Sequence, residues 1–233
     1  GPVLIDIPKN VTEDMADYQP LSRAEHGKAG RLGQLMKRSS QDFRAPEPDY
    51  RDIDILADMI RASRRPMLIC GGGVVRSRAD REFEAFANRI DAPVGITVMG
   101  AGGFPGLNPL ATGLVGMHGS QASNMAVDAC DLLIAVGCRF SDRVALNPAT
   151  FARNAKVVQI DIDRSEINKN VETAHHIVGD ARRVLEILNG KLEQMDHSAW
   201  KDYVFSFKTE TEYDAAEDRL TPGQILDAIA RVV

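Results

Sequence analysis

Apolar residues along the chain fall into two alternating patterns. Short uninterrupted runs predict strands: Pro66–Cys70 (PMLIC), Pro93–Val98, Leu132–Val136 (LLIAV), Lys156–Ile160 (KVVQI) and His176–Val178. Between them the spacing becomes helical. Ile53, Ile55, Leu56, Met59 and Ile60 form one such stretch, ending at Ser63. Phe83, Phe86, Ala87 and Ile90 share one face of Arg81–Ile90, and Gln121–Ala129 and Ala181–Leu192 read as further helices. Short, continuously apolar strands separated by helices mark a parallel sheet covered on both faces. The predicted fold class is therefore α/β, with a parallel sheet of about six strands and helices on both faces. In such sheets ligands lie in the crevice beyond the carboxyl ends of the strands. The punctuation of this chain sits there: Gly71-Gly72-Gly73, Gly137, Asp161 and Gly179-Asp180.

The pattern also divides the chain. Residues 52–195 carry the compact alternation. Val3–Ile7 reads as the last strand of a preceding domain spanning residues 1–9, and the opening Gly-Pro-Val-Leu-Ile is entered in mid-strand. Residues 10–51 are polar, with Pro20, Pro46, Pro48 and a basic Lys37-Arg38 pair, and read as a linker. A second linker is expected over 196–219, acidic around Glu210–Asp218. Residues 220–233 then read as the start of a following domain, with Thr221 as N-cap and Pro222 at the first helical position. Both ends read as boundaries inside a longer polypeptide.

Composition narrows the function classes. A hydrophobic share of 44% and a charged share of 26% are those of an ordinary globular protein. A net charge of -5 argues against a general nucleic-acid binder. Cys70, Cys130 and Cys138 form no C-x-x-C pair, which fits a reducing compartment and excludes a disulfide framework or zinc knuckle. No apolar run approaches the roughly 20 residues of a membrane span.

Five features carry candidate chemistry. Gly71-Gly72-Gly73 after a strand lets backbone approach a phosphate, although it equally makes a tight turn and lacks both the G-x-G-x-x-G and P-loop spacings. Met99–Gly106 holds four glycines, and Val115-Gly-Met-His-Gly119 follows it with His118 as a stacking or hydrogen-bonding candidate or a plain loop residue. Gly137-Cys-Arg-Phe-Ser-Asp-Arg143 leaves a buried strand and at once presents two arginines, whose planar forks suit phosphate or carboxylate. In Asp161-Ile-Asp163, Asp161 suits sugar hydroxyls and Asp163 a helix N-cap. Asp180 reads first as an N-cap. No G-x-S-x-G, H-E-x-x-H or Walker motif occurs. His175-His176 finds no third metal ligand at a convincing spacing, so the residues describe a binding site without a catalytic group.

Four stretches together resemble a known family. GPVLIDIPKNV, TVMGAGGFPGLNPLATGLVGMHGS, DLLIAVGCRFSDRV and KVVQIDIDRSEINKN with its later IVGD look like the large catalytic subunit of acetohydroxyacid (acetolactate) synthase, in that family's order and across nearly the whole chain. That resemblance implies a Rossmann-like central domain of a thiamine-diphosphate enzyme. The parent would condense two pyruvates, or pyruvate and 2-oxobutyrate, with decarboxylation, in branched-chain amino-acid biosynthesis. Thiamine diphosphate and Mg²⁺ would sit in flanking domains with the activating glutamate, leaving this piece catalytically silent. FAD would lie across the strand ends here. Gly72 and Gly73 would approach its phosphates or ribityl chain. Thr97, Val98, Met99, Val115, Gly116, Met117 and His118 would line the isoalloxazine, and Gly137, Cys138, Arg139, Phe140 and Ser141 the flavin chain. Asp161, Ile162, Asp180 and Ala181 would hold the adenosine end. Arg143, with Asp142 beside it, resembles an arginine at the family's substrate channel, near the second 2-oxoacid's carboxylate. The family reads Arg-Phe-Asp-Asp-Arg where this chain has Ser141, which implies an altered flavin contact. Active sites between subunits imply a homo-oligomer, with a regulatory subunit as a further partner, in the cytoplasm or a eukaryotic organelle. Alternatives are glyoxylate carboligase or oxalyl-CoA decarboxylase with FAD or ADP, a sirtuin-type deacylase (which needs two C-x-x-C motifs), and a non-enzymatic nucleotide sensor.

Overall fold

The computed structural model describes residues 45–208, 220–230 and 232. The strand expected at Val3–Ile7 and most of both expected linkers lie outside the described residues. The apolar runs form strands β1 (Pro66–Cys70), β2 (Val94–Ile96), β3 (Ala111–Leu114), β4 (Leu132–Val136), β5 (Lys156–Asp161) and β6 (His175–Val178). They make one six-stranded sheet in the order β3-β2-β1-β4-β5-β6. Every neighbouring pair is parallel.

The helices are α1 (Tyr50–Ala62), α2 (Gly72–Arg76), α3 (Asp80–Ile90), α4 (Gln121–Ala129), α5 (Ala181–Lys191), α6 (Ser198–Phe205) and α7 (Pro222–Ala230). Side chains at several starts satisfy otherwise orphaned N–H groups. Asp49 accepts from Arg51 N, Ser120 from Ser123 N and Asp180 from Arg183 N.

Alternate strand residues face opposite layers. Leu68, Ile134, Val158 and Ile160 pack with Ile53, Leu56 and Ile60 of α1, Phe83, Phe86 and Ile90 of α3, and Val184, Leu185 and Leu188 of α5. Met67, Ile69, Leu133, Ala135 and Val157 face the other way, onto Ala122 and Ala126 of α4 and Trp200 and Val204 of α6. Covering both faces is what makes β1 and β4 buried along their whole length. Each fully buried Leu, Ile or Phe contributes about 1.5–3 kcal/mol.

Several elements depart from the sequence expectation. β2 stops at Ile96, because Thr97 caps a 3-10 turn over Val98–Gly100 instead of continuing the strand. β3 has little apolar pattern to announce it: its sequence is ATGL, Gly113 has φ +104°, and its register with β2 shifts at Val94/Gly95. The expected glycine turn after β1 becomes the five-residue α2. α1 begins at Tyr50, two residues ahead of the expected start at Asp52.

Within the span read as the second linker, residues 198–205 form α6, which is tied into the core. Trp200 Nε1 donates to Pro66 O at 2.8 Å. The Asp91 carboxylate accepts from His197 N at 2.8 Å and from Lys201 Nζ at 2.6 Å. At α7, Thr221 Oγ1 accepts from Gln224 N at 3.3 Å, the cap that the sequence predicts.

Candidate functional site

Strand order reverses between β1 and β4, and open parallel sheets bind ligands at that crevice. The two strands leave it through glycines. Gly71 N donates to Val136 O at 2.9 Å, Gly73 N to Gly137 O at 3.0 Å, and Gly137 N to Ile160 O at 2.7 Å. A Cβ on Gly71 would lie 2.5 Å from Gly137 C and 2.8 Å from Cys138 Cα. A Cβ on Gly137, whose φ is +60°, would overlap Gly73 Cα and lie 2.7 Å from Gly73 N. Gly71, Gly73 and Gly137 are thus required by backbone against backbone. Gly72 differs: its Cβ would press first on Met99 Cβ and on the Met99 backbone O, both at 3.1 Å. Of the three consecutive glycines, the middle one is set against the exit of β2, where an added Cβ would crowd Met99.

The exits of β2 and β3 carry the apolar part of the site. Thr97 is buried, its N donates to Cys70 O at 3.0 Å, and its Oγ1 accepts from Gly100 N at 3.1 Å. The turn so fixed leaves Val98 72% and Met99 67% exposed. After β3, Val115 is buried in the core and anchors the loop, whereas Met117 and His118 are exposed. Gly116, at φ +101°, is clasped by Asn124, which accepts from Gly116 N at 2.9 Å and donates to Gly116 O at 3.0 Å. Met117 N donates to Arg143 O at 2.9 Å, and Arg143 Nη1 lies 3.7 Å from Met117 Sδ. Asn124 was not legible as a site residue: an Asn inside a helix gives no signal that it reaches back to a loop.

The segment after β4 alternates between core and solvent. Cys138 is buried, and burial pushes its thiol up to about 11. Phe140 has φ +50° and is buried edge-on to Phe151, with ring centroids 5.7 Å apart. Ser141 O accepts from Val144 N and Ala145 N at 2.9 and 2.8 Å. Arg139, Asp142 and Arg143 point to solvent, Arg143 Nε lying 3.8 Å from Asp142 Oδ2.

At the end of β5, Asp161 is buried, with Ile162 beside it half-buried. Asp161 Oδ1 accepts from Asp163 N at 3.0 Å. Burial pushes this carboxyl above its ordinary range, and nearby Glu166 adds to the effect. Asp163 caps the following turn through Ser165 N, the capping role expected of it. Gly179 N donates to Asp161 O at 2.9 Å, which brings the exits of β5 and β6 together. Asp180 already caps α5 through Arg183 N at 3.2 Å, and Ala181 is buried behind it.

A groove of about 460 Å³ opens beside this site, between Asp80, Glu84, Ile96 and the glycine-rich Gly102–Gly106 loop. The convergent polar groups and glycine approaches lie at the strand exits, not in that groove. Among the described residues no three His, Cys, Asp or Glu side chains come together as a metal site. No described helix is long and apolar enough to cross a membrane.

The strand order and the glycine-to-glycine exit define a doubly wound, Rossmann-like α/β domain. The chain belongs to the central-domain family of thiamine pyrophosphate enzymes, whose model (Thiamine pyrophosphate enzyme, central domain) matches residues 53–188. The acetolactate synthase large subunit of Cyanidium caldarium is 36% identical over 242 residues, covering 100% of this chain and 40% of that protein. The acetolactate synthase of Arthrospira platensis is 42% identical over 189 residues, covering 79% of this chain and 31% of that protein. The chain therefore spans 31–40% of the length of these curated relatives. A crystal structure of a candidate thiamin diphosphate-dependent enzyme from Mycobacterium smegmatis superposes with a TM-score of 0.56 at 26% identity, over 66% of this chain and 30% of that one.

Proposed function

We propose that this chain is the FAD-binding central domain of an acetolactate synthase large subunit, the enzyme that joins pyruvate to pyruvate or 2-oxobutyrate with loss of carbon dioxide. One observation carries the reading. Val98, Met99 and Met117 stand exposed at the mouth of a glycine-built crevice, beside an arginine. Large exposed apolar groups rimmed by polar ones mark a binding surface. A flat aromatic ring system attached to a pyrophosphate matches both parts.

The residues present fit FAD in three places. Gly72, at the start of α2 and against Met99, would bring its backbone close to a phosphate or ribityl chain. Val98, Met99 and Met117, with His118, offer a face to the isoalloxazine. The buried Asp161 carboxylate is suited to accept from ribose hydroxyls. Cys138 and Phe140 have core-facing side chains and would meet the cofactor through backbone. Arg143, exposed at the same mouth, suits a 2-oxoacid carboxylate through its planar fork, with Asp142 beside it. Thiamine diphosphate with Mg²⁺ supplies the carbanion chemistry when bound, and this reading assigns both to flanking domains. It also assigns the parent a homo-oligomeric state, a regulatory partner for its large subunit, and a cytoplasmic or organellar site. Relatives named acetolactate synthase at 36% and 42% identity support it over the glyoxylate carboligase alternative.

The test is a titration of the purified chain with FAD, read by flavin fluorescence quenching and by the melting temperature. Saturable quenching and a raised melting temperature are expected. A melting shift with ADP or NAD and none with FAD would refute the flavin assignment. Acetolactate formation by the chain alone, given pyruvate, thiamine diphosphate and Mg²⁺, would refute the assignment of catalysis to other domains.

A further inference from the structure

We infer that Gln159 is a positioning residue: from inside the core it fixes the segment that leaves β4, and with it the mouth of the crevice. Gln159 lies in β5 between Val158 and Ile160 and is fully buried. A buried amide is costly unless its groups are paired. Its Nε2 donates to Cys138 O and to Glu166 O, both at 3.2 Å. Both neighbours are acceptors, so only the nitrogen can face them. Its Oε1 remains buried without a partner among the described residues. A leucine or methionine would fill the strand without that penalty. What the amide adds is a link between the exits of β4 and β5.

A second side-chain amide acts on the next residue. Asn170 Nδ2 donates to Arg139 O at 2.9 Å. The carbonyls of residues 138 and 139 are thus each held from the β5 side. The bond to Cys138 O lies two residues before Phe140, which keeps a left-handed backbone (φ +50°) that a bulky side chain adopts only under constraint. With the Phe140 ring held in the core, Arg139 and Arg143 are turned outward. Loosening the carbonyl clamps frees Phe140 to relax and lets both arginines swing. None of this needs Gln159 to touch a ligand.

The experiment is hydrogen–deuterium exchange on the full chain, with Gln159→Leu, Gln159→His (a ring N–H can serve one carbonyl) and the exposed Asn170→Ala. Losing one or two neutral hydrogen bonds predicts roughly tenfold faster exchange over residues 138–143 in Gln159→Leu, with β1 and β4 unchanged. Gln159→His should recover part of that protection, and Asn170→Ala should show a smaller acceleration in the same segment. FAD affinity should fall by a similar factor in Gln159→Leu; this readout alone rests on the flavin reading. A wild-type chain that ignores FAD would sink that reading, while the exchange data still judge Gln159. Unchanged exchange over 138–143, or acceleration spread evenly through β1, β4 and β5, would overturn the inference. If Gln159→Leu does not fold, Asn170→Ala decides: no acceleration over 138–143 overturns it.

Discussion

Alanine at four glycines separates what the backbone requires from what a ligand requires. At Gly106 nothing lies within 4 Å of an added Cβ, and the backbone is not left-handed, so Gly106→Ala should be neutral or stabilise by about 0.4–1 kcal/mol. At Gly102 the space is equally open but φ is +89°, so only the left-handed penalty applies, roughly 1–2 kcal/mol. At Gly137 the left-handed backbone at φ +60° adds to an overlap with Gly73, whose N would lie 2.7 Å from the new Cβ. Overpacking of that kind costs about 1–3 kcal/mol, so Gly137→Ala should destabilise by roughly 2–5 kcal/mol. That is a large part of a stability of about 5–15 kcal/mol. Urea unfolding followed by the fluorescence of Trp200, the one tryptophan of the chain, reads all four variants. Gly137→Ala within about 1 kcal/mol of Gly102→Ala would refute the close backbone approach at the switch point. Gly72→Ala completes the series. Its Cβ would press on Met99 Cβ and on the Met99 backbone O, both at 3.1 Å, so the Thr97-capped turn has to give by a few tenths of an ångström. Stability should fall by about 1 kcal/mol, less than in Gly137→Ala, while FAD affinity falls at least about tenfold. Unchanged FAD affinity would remove Gly72 from the phosphate-approach role.

Burial pushes the Cys70 and Cys130 thiols up to about 12 and Cys138 up to about 11, so a thiol reagent at pH 8 should label none of them in the folded chain and all three after unfolding. Burial also pushes the Asp131 carboxyl up, but hydrogen bonds from Ser63 Oγ and from Arg64 and Arg65 N–H outweigh it and hold it below its ordinary 3.8. Its contribution is fully present above that value and is lost as pH falls through the depressed folded value. Asp131→Asn should therefore cost roughly 1–2 kcal/mol at pH 7, and calorimetry should find the difference from wild type shrinking below about pH 4. Trp200→Phe keeps the aromatic packing but leaves Pro66 O without its 2.8 Å donor, for a loss of about 1–3 kcal/mol in a denaturant midpoint read by circular dichroism; an unchanged midpoint would contradict the packing of α6.

Legibility in the sequence followed the strength of the burial constraint. β1 and β4 are buried at every position, so their residues have to be apolar and the runs are plain. β3 sits at the sheet edge, and its ATGL sequence satisfies a register shift and a positive φ instead of a uniform core. α6 was missed for a different reason. Its interior is fixed by Trp200 and Val204 and by polar links to Asp91, which a one-dimensional pattern reads as unpatterned polar chain. The shortened β2 shows the same limit: Val98 continues an apolar run, yet Thr97 turns the backbone and leaves Val98 72% exposed.

For the site, pattern and resemblance indicated which segments reach the crevice but not which side chains face it. Residues 138–143 are contiguous, and a motif treats them as one unit. In space the unit splits. Cys138 and Phe140 are spent on the core, while Arg139, Asp142 and Arg143 face outward. The split depends on residues outside the motif. Gln159 and Asn170 hold two successive carbonyls, and Phe140 is held left-handed between core and clamp. Asn124 does the same for Gly116 from within α4. Side-chain amides that bond to backbone leave no spacing signature, because their partners are distant in sequence and of any residue type. The loops presenting the candidate site are therefore aimed by the polar residues whose roles the sequence conceals most completely, and substitutions at Asn124, Gln159 and Asn170 test the geometry of the crevice without altering any group proposed to touch a ligand.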